Sequence, residues 1–443
     1  MAVAAMDVLC CRITVGDPDP DNPMKILNGV EMTEVHTIEI NESYKKLIGT
    51  AKVTFPKGSV CRSTIIGNVT LEGKDVSRLT TEIMEDGVLI EKRTTQRLVD
   101  ETTFKIGQRI NIMLGYNGVM KNMFDGYITG YNSDSMLEIQ CENMAYKLKP
   151  KKAPLFETPV KGTTVNDVLE GKYNILKDTG FKIHSDTKKY EIHIGKVKVT
   201  DNFTVADILS EWSRYKVYCF LKYDAEDDGA MPAIAVGRPY SSSKAQPVFP
   251  EDSGTGPFKI YFNEHVAQSN LKALKTDPKF LAVTGKALGT DEKFFEVTVR
   301  LNPEYDPDSP GSKEFQTVNA TQISKKSHKV TGNTTAAGAD TRTKVDLSTY
   351  TIVPYMSPHV GINSDQLVEE TTEYFRNYNL NGITGTLTIF GDFGLVPAVQ
   401  VELVDLRNPS KNGVYLVEEV TTTFGVNGYR QQLSIPYRIN SKG

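Results

Sequence analysis

The chain is 443 residues long, 39% hydrophobic and 24% charged, with 51 Lys and Arg against 55 Asp and Glu and a formal net charge of −4. That length exceeds what a single growing core accommodates, so two or more domains are expected, and the composition is too apolar for a disordered chain. The charge balance disfavours a protein that gains affinity by neutralising phosphates, and the cysteines Cys10, Cys11, Cys61, Cys141 and Cys219 contain no Cys-x-x-Cys pair, against both a disulfide framework and a zinc site.

The opening MAVAAMDVLCCRITVG has no basic stretch before its short apolar run, and no later run approaches the roughly 20 apolar residues that span a bilayer. Neither an export signal nor a membrane anchor is expected. Over residues 1–150 the dominant signal is alternation. In GQRINIMLGY (107–116), Ile110, Ile112 and Leu114 oppose Arg109 and Asn111, the period of a half-buried strand. SMLEIQCE (135–142) sets Leu137, Ile139 and Cys141 against Glu138, Gln140 and Glu142. MFDGYITGY (123–131) lies between them, flanked by Asn117-Gly118 and Asn132-Ser133-Asp134, so the three read as an antiparallel meander. Residues 62–103 look like an insertion into this sheet, and KLKPKKAP (147–154) reads as a basic, solvated linker.

Residues 151–250 change character and read as a small α+β domain. GTTVNDVLEGKYNILKDTG (162–180) opens with Thr164 and Asp167 at capping-box spacing. It predicts a helix carrying Val165, Val168, Leu169, Tyr173 and Leu176 and stopping at Gly180. NFTVADILSEWSRYKVYCFLKY (202–223) repeats the start with Thr204 and Asp207, carries Val205, Ile208, Leu209 and Trp212, and turns into a strand. The strings TVNDVL and TVADIL differ at two positions, the mark of a repeated helix–strand unit.

Alternation returns after residue 250. FFEVTVRL (294–301), VQVELVD (399–405) and GYRQQLSIPY (428–437) each place apolar side chains on one face, so 251–303 and 381–443 read as a second β-barrel-like domain, the first being 1–150. Within the inserted 304–380, TVNATQISKKSHKVTGNTTAAGADTRTK (317–344) reads as a long exposed loop. SDQLVEETTEYFRNYNL (364–380) reads as a helix packing through Leu367, Thr371, Tyr374, Phe375 and Tyr378 and ending at Gly382. The fold class is therefore mainly β with α+β insertions.

An ordered set of short motifs carries a resemblance. It comprises Ile106-Gly107, Gly115-Tyr116, Phe124-Asp125-Gly126 and Ile128, then Cys141-Glu142-Asn143 and Tyr146-Lys147-Leu148. The paired helix starts at 164–169 and 204–209 follow, and Pro397, Gly413-Val414-Tyr415, Val417, Val420 and Gly428-Tyr429-Arg430 close the set. In this order the sequence resembles the hub family of phage tails and baseplates: late-control D proteins, the myophage baseplate hub and the amino-terminal half of VgrG. The first and last blocks share a layout of three strands, the second opening near Gly126 or Gly413.

The resemblance implies a homotrimer whose two like barrels per chain imitate a six-membered ring. Such a ring joins a hexameric tail tube or distal tail protein to a central spike or tip protein. It leaves a channel for the tape measure protein and for DNA, which passes without specific binding. The implied place is the virion tail tip or baseplate, assembled in the bacterial cytoplasm. Members fused to their spike continue into a further β domain, so the spike is expected on another polypeptide here. If Glu138, Gln140, Glu142, Gln400 and Glu402 line the channel, a neutral-to-acidic wall lets DNA slide; the same faces could instead meet water outside the ring.

No Gly-x-Ser-x-Gly elbow, Walker A string or Gly-x-Gly-x-x-Gly loop is present, so no catalytic, cofactor-binding or metal-binding residues are expected and no enzyme is predicted. His36, His184, His193, His265, His328 and His359 are scattered without ligand spacing, and His193 reads as an exposed strand residue. Asp17, Asp19 and Asp21 superficially suggest a calcium loop. Asn22 and Asn28 stand where that loop needs Gly and Glu, so a solvated turn is expected. Three other readings remain open: a tail-associated peptidoglycan hydrolase with a site inside 155–250 or 304–360, a hub-like part of a contractile injection system, and a carbohydrate-binding adaptor near a receptor-binding tip.

Overall fold

The computed structural model describes residues 8–66, 77–85, 88–159, 163–188, 194, 197–215, 217–223, 231–237, 257–273, 280–288, 293–304, 314–324, 347–360, 364–380, 383–436 and 438–439. The first unit is built from β1 (Leu9–Pro18), β2 (Ile26–Met32), β3 (Thr37–Ser43), β4 (Thr50–Phe55), β5 (Val60–Ile66), β6 (Ser77–Glu85), β7 (Val88–Leu98), β8 (Arg109–Tyr116), β9 (Val119–Asn132) and β10 (Leu137–Asn143). Alternation does the folding. Ile13 and Val15 of β1, Ile38 and Ile40 of β3, Val53 of β4, Ile110 and Ile112 of β8 and Ile139 of β10 all turn into one core and are at most 2% exposed. Each such side chain contributes about 1.5–3 kcal/mol by leaving water.

The meander expected over 107–142 is present, as β8 paired antiparallel with β9 and β9 with β10. Gly126 does not open its second strand, however. It lies inside the 14-residue β9, where pairing passes from β8 to β10. A Cβ there would stand 2.1 Å from the Glu142 carbonyl oxygen, so only glycine allows the strands this close. Within the expected insertion at 62–103, β5, β6 and β7 extend the sheet as a ribbon, while residues 67–76 and 86–87 lie outside the described residues. The expected linker is partly core instead: Met144–Leu148 forms a 3-10 turn burying Met144, Ala145 and Leu148, and Lys152 bridges to Thr204.

The middle unit contains β11 (Phe156–Glu157), α1 (Val165–Leu169), α2 (Ser185–Lys188), β12 (Lys198–Val199), α3 (Val205–Glu211), β13 (Tyr218–Lys222) and β14 (Ala233–Gly237). The two repeated starts are near copies. The Thr164 and Thr204 hydroxyls each accept from the N–H of the Asp three residues on at 3.2 Å, and each Asp carboxylate accepts the Thr N–H at 2.9 Å. The helix expected over 162–180 stops at Leu169. Gly171 N–H folds back onto the Asn166 carbonyl, Tyr173 N–H onto Asp167, and Asn174 and Asp178 take left-handed φ values. Ile175 and Leu176 are buried by this reversal rather than along a helical face.

In the last third lie β15 (Phe258–Tyr261), α4 (Phe262–His265), β16 (Val266–Ser269), β17 (Lys272–Ala273), β18 (Leu281–Leu288), β19 (Lys293–Leu301), β20 (Phe315–Ser324), β21 (Thr351–Val360), α5 (Ser364–Leu380), β22 (Ile383–Phe390), β23 (Gln400–Val404), β24 (Gly413–Leu416), β25 (Glu419–Gly425), β26 (Gly428–Ile435) and β27 (Arg438–Ile439). β16, β22, β25 and β26 lie in one sheet and β15, β23, β24 and β27 in another. They enclose a common core of Ile260, Leu387, Ile389, Val401, Leu403, Tyr415, Leu433 and Ile435.

Residues 281–301, expected in this second barrel, form a different layer. β18 and β19 pair with β20 and β21 in a separate four-stranded sheet covered by α5. The cause is packing: Val283, Val297 and Ala287 face Leu367, Thr371 and Phe375 of the helix, all three of which are fully buried. A Cβ on Gly285 would fall 1.9 Å from the Thr371 hydroxyl. The loop expected over 317–344 begins as strand β20, and 325–346 lies outside the described residues, as do Gly382 and Tyr437.

Candidate functional site

The two ends of the chain meet along a shared seam. β25 pairs antiparallel with β3 from Gly425 opposite Thr37 to Glu419 opposite Ser43, joining the end units into one fifteen-stranded sheet among the described residues. Thr421 Oγ1 donates to Asn41 Oδ1 at 2.8 Å, Tyr116 OH to the Tyr429 carbonyl at 3.3 Å, and Lys121 Nζ to the Phe393 carbonyl at 3.0 Å. Phe424 and Tyr429, from the second unit, belong to the core of the first. Gly425, with φ of 145°, would place a Cβ 2.2 Å from the His36 carbonyl, so its lack of a side chain lets the seam close.

Both units repeat one strand connectivity. In the first, β3 pairs with β4, β4 with β10 and β10 with β9. In the second, β16 pairs with β22, β22 with β26 and β26 with β25. All six ladders are antiparallel, and in chain order each unit reads first, second, fourth, third. The seam joins the first strand of one unit, β3, to the third strand of the other, β25. Two matching edges are left over. β16 and β17 pair only with β22 among the described residues, and residues 129–132 of β9 pair only with β10.

The outward face of this continuous sheet is polar across both units. Thr37, Glu39 and Asn41 of β3, Thr50, Lys52 and Thr54 of β4, Glu138, Gln140 and Glu142 of β10, Thr421 and Thr423 of β25, and Gln432 and Ser434 of β26 alternate with the core residues. Its charges are largely matched: Lys52–Glu138 at 2.7 Å, Lys149–Glu142 at 2.6 Å and Lys46–Glu419 at 3.9 Å. Arg430 lies over the Phe390 ring at 4.5 Å. A face of hydroxyls, amides and paired charges offers a polyanion few counterion-releasing contacts.

Only part of the predicted channel set shares this face. Glu138, Gln140 and Glu142 lie on it, but Gln400 and Glu402 lie on β23 in the other sheet of the second unit, with Glu402 3.6 Å from Lys259. The positional counterparts of the β10 residues are Arg430, Gln432 and Ser434 on β26. Strand alternation alone could not separate the two sheets, because both alternate.

Arg109, expected on a solvent face, is fully buried, and with Asp125 it forms a charged hub that the sequence pattern missed. Asp125 accepts hydrogen bonds from Arg109 Nη2 (3.3 Å), Asn111 Nδ2 (2.9 Å), Tyr223 OH (2.7 Å) and Asn122 Nδ2. Arg109 Nη1 also donates to the Gly126 carbonyl at 3.1 Å. The polar side of β8 is covered because the middle unit packs over it through Tyr127, Met144 and Leu148. Beside the hub opens a cavity of about 310 Å³ lined from all three units, by Glu42, Asn122, Asp125, Phe220, Tyr223, Val396 and Pro397 among others.

The other sequence candidates stay apart. Asp19 makes a local turn, accepting from the N–H of Asp21 at 2.9 Å and of Asn22 at 3.2 Å; chiefly the Asp21 contact holds its carboxyl below the usual range. His184 is buried, His265 packs edge-on against Phe393, and His193 and His328 lie outside the described residues. Among the described residues no group of three or more His, Cys, Asp or Glu is placed to hold a metal ion, and no helix is long and apolar enough to cross a membrane.

No protein-family model and no curated protein matches the chain. Several solved structures do. The 43 kDa tail protein of prophage MuSo2 from Shewanella oneidensis is 10% identical, with 96% of this chain and 98% of that chain covered and a TM-score of 0.48. The tail protein from Neisseria meningitidis MC58 is 11% identical over 96% of each chain, also with a TM-score of 0.48. The chain is similar to such tail proteins. In the Francisella PdpA–VgrG complex the likeness covers all of this chain but 55% of that chain, at 9% identity and a TM-score of 0.46.

Proposed function

We propose that this chain is a structural hub of a phage-type tail tip or baseplate, three copies of which close into a ring of six like units. One observation carries the reading: a single strand connectivity occurs twice, joined by a seam between a first strand and a third strand, with one open first strand and one open third strand remaining. Pairing β16 of one copy with residues 129–132 of β9 in the next repeats the seam between chains. That interface is heterologous and head to tail, so it propagates until it closes, and closure covers these two edges against uncontrolled pairing.

Six quasi-equivalent units match a hexameric tail tube or distal tail protein, while three true copies match a trimeric spike or tip protein. The polar face then forms the channel wall, past which DNA or a tape measure protein moves without adhering. The role is structural rather than catalytic, and the place is the virion tail.

The test is to blunt the two edges. Tyr131→Lys and Ala267→Lys each place a charge on an open edge while changing exposed positions, where folding stability moves by about 0.5 kcal/mol or less. By light scattering with the tube partner present, the unaltered chain is expected as trimers and each variant as monomers with an unchanged circular dichroism spectrum. Unimpaired assembly of both variants contradicts the edge pairing, and an unaltered chain that stays monomeric with its partner contradicts the hub.

A further inference from the structure

The cavity beside the charged hub lies where the three units converge. Tyr44 of the first unit, Tyr218, Phe220 and Ala235 of the middle unit, and Ala398 and Leu416 of the second end unit form one small core there, with the Tyr44 and Tyr218 rings 5.6 Å apart. Immediately beyond that core the apolar wall gives way to Glu42, Asp125, Asn122 and Tyr223. The hydrogen bond from Tyr223 OH to Asp125 Oδ2 ties the end of β13 to β9 across this junction.

The two carboxylates on the cavity wall are provided for unequally. Asp125 has four side-chain donors, the Arg109 guanidinium among them. Glu42 accepts no hydrogen bond among the described residues. It sits on β3 at the inward-facing position after Ile38 and Ile40 and is only partly buried. An ionised Glu42 must therefore keep its charge at the edge of an apolar junction, facing a second carboxylate.

We propose that the docking of the β13–β14 hairpin onto the two end units is a proton-controlled joint, tight when Glu42 is protonated and looser when it is ionised. The groups facing Glu42 are Asp125 from β9, with Arg109 from β8 behind it, Lys46 from the turn after β3, and Lys222 and Tyr223 at the end of β13; Val396 and Pro397 of the second end unit bring no charge. Lys46 is directed to Glu419 at 3.9 Å, and Arg109 is committed to Asp125. Burial, and after it the Asp125 charge, raises the Glu42 carboxyl from 4.5 to about 7.

The sign follows from linkage. An acid whose folded value is raised binds its proton more tightly in the docked state, so docking is strongest below about pH 4.5. It weakens as pH rises through about 7 and is flat above that. Tyr223 moves the same way: burial, then Asp125 and Glu42, raise its hydroxyl far above its ordinary value, keeping it a donor throughout this range.

Native-state hydrogen exchange of the full chain tests this, reading residues 218–222 and 233–237 between pH 5.5 and 8.5 after correction for the intrinsic exchange rate. Protection of the hairpin is expected to fall at least about tenfold from pH 5.5 upward and to level off near pH 7, since tenfold tighter proton binding in the docked state means docking tenfold stronger in acid than in base. Residues 281–288, which belong neither to the hairpin nor to the cavity wall, are expected to hold steady. Glu42→Gln is expected to keep the acid-form protection at every pH. Tyr223→Phe is expected to lower protection at all pH values while keeping the fall between pH 5.5 and 7. A wild-type profile that is flat between pH 5.5 and 7, or a Glu42→Gln chain that still loses protection as the wild type does, overturns the proposal. The experiment uses the isolated chain, so it stands or falls separately from ring assembly.

Discussion

In the first end unit the third strand, β9, runs unbroken for 14 residues and belongs to one sheet. In the second, the corresponding stretch is divided at Val417 and Glu418 into β24 and β25, which lie in different sheets. Their polar centres differ as well. The first unit buries an ion pair, Arg109 with Asp125. The second buries a neutral amide, Gln431, which accepts from Leu395 N–H and donates to the Leu395 carbonyl, both at 2.9 Å, and donates to Thr422 Oγ1 at 3.2 Å. Connectivity is thus held in common while the means of fixing the core are not. Insertions follow the same logic. They enter after the second strand in the first unit and between the first and second strands in the other, both clear of the β25–β3 seam.

The largest expected effect breaks the charged centre. Asp125→Ala leaves Arg109 buried without its partner and is expected to cost about 3–5 kcal/mol in urea unfolding. A loss under 1 kcal/mol would mean that the hub does not hold the first unit. Gly285→Ala forces a methyl group against the Thr371 hydroxyl. It is expected to cost about 1–3 kcal/mol, with faster exchange in α5 and β18 than in β8 and β9; equal acceleration everywhere would show that the inserted layer is not a separate cooperative element. Gln431→Ala strips two buried Leu395 backbone groups of their partners at an expected cost of about 1–3 kcal/mol. Being neutral, this loss should not vary between pH 5 and 9.

The smallest effects compare the repeated caps. Thr164→Ala and Thr204→Ala are each expected to cost about 1 kcal/mol, and to cost the same. Contacts from Thr204 hold the Asp207 carboxyl below its ordinary value. The contribution of that cap is therefore present above about pH 4, the ordinary Asp value, and is lost as pH falls through the depressed one.

Much of this was legible in the chain itself. Period-two alternation found β8, β10, β23 and β26, and period 3.6 found α5 with its bounds Ser364–Leu380. Capping-box spacing found the starts of α1 and α3. What escaped was set by distant contacts. Nothing local distinguishes the alternation of β19, which enters the α5 layer, from that of β23, which enters the second end unit. Arg109 reads as solvent-facing until the middle unit covers it. The ending of α1 at Leu169 turns on left-handed residues at Asn174 and Asp178 that a hydrophobic pattern does not register. The seam, and with it the polar face, depends on residues 37–43 meeting 419–425 across most of the chain, a pairing that only tertiary structure reveals.

Electron microscopy of the assembled distal end, at a resolution that traces strands, tests the ring most directly. Three copies are expected around one axis, with six like units and β16 of each copy hydrogen-bonded to residues 129–132 of its neighbour. A ring in which those two edges face solvent, or an assembly holding the chain in a single copy, would contradict the account.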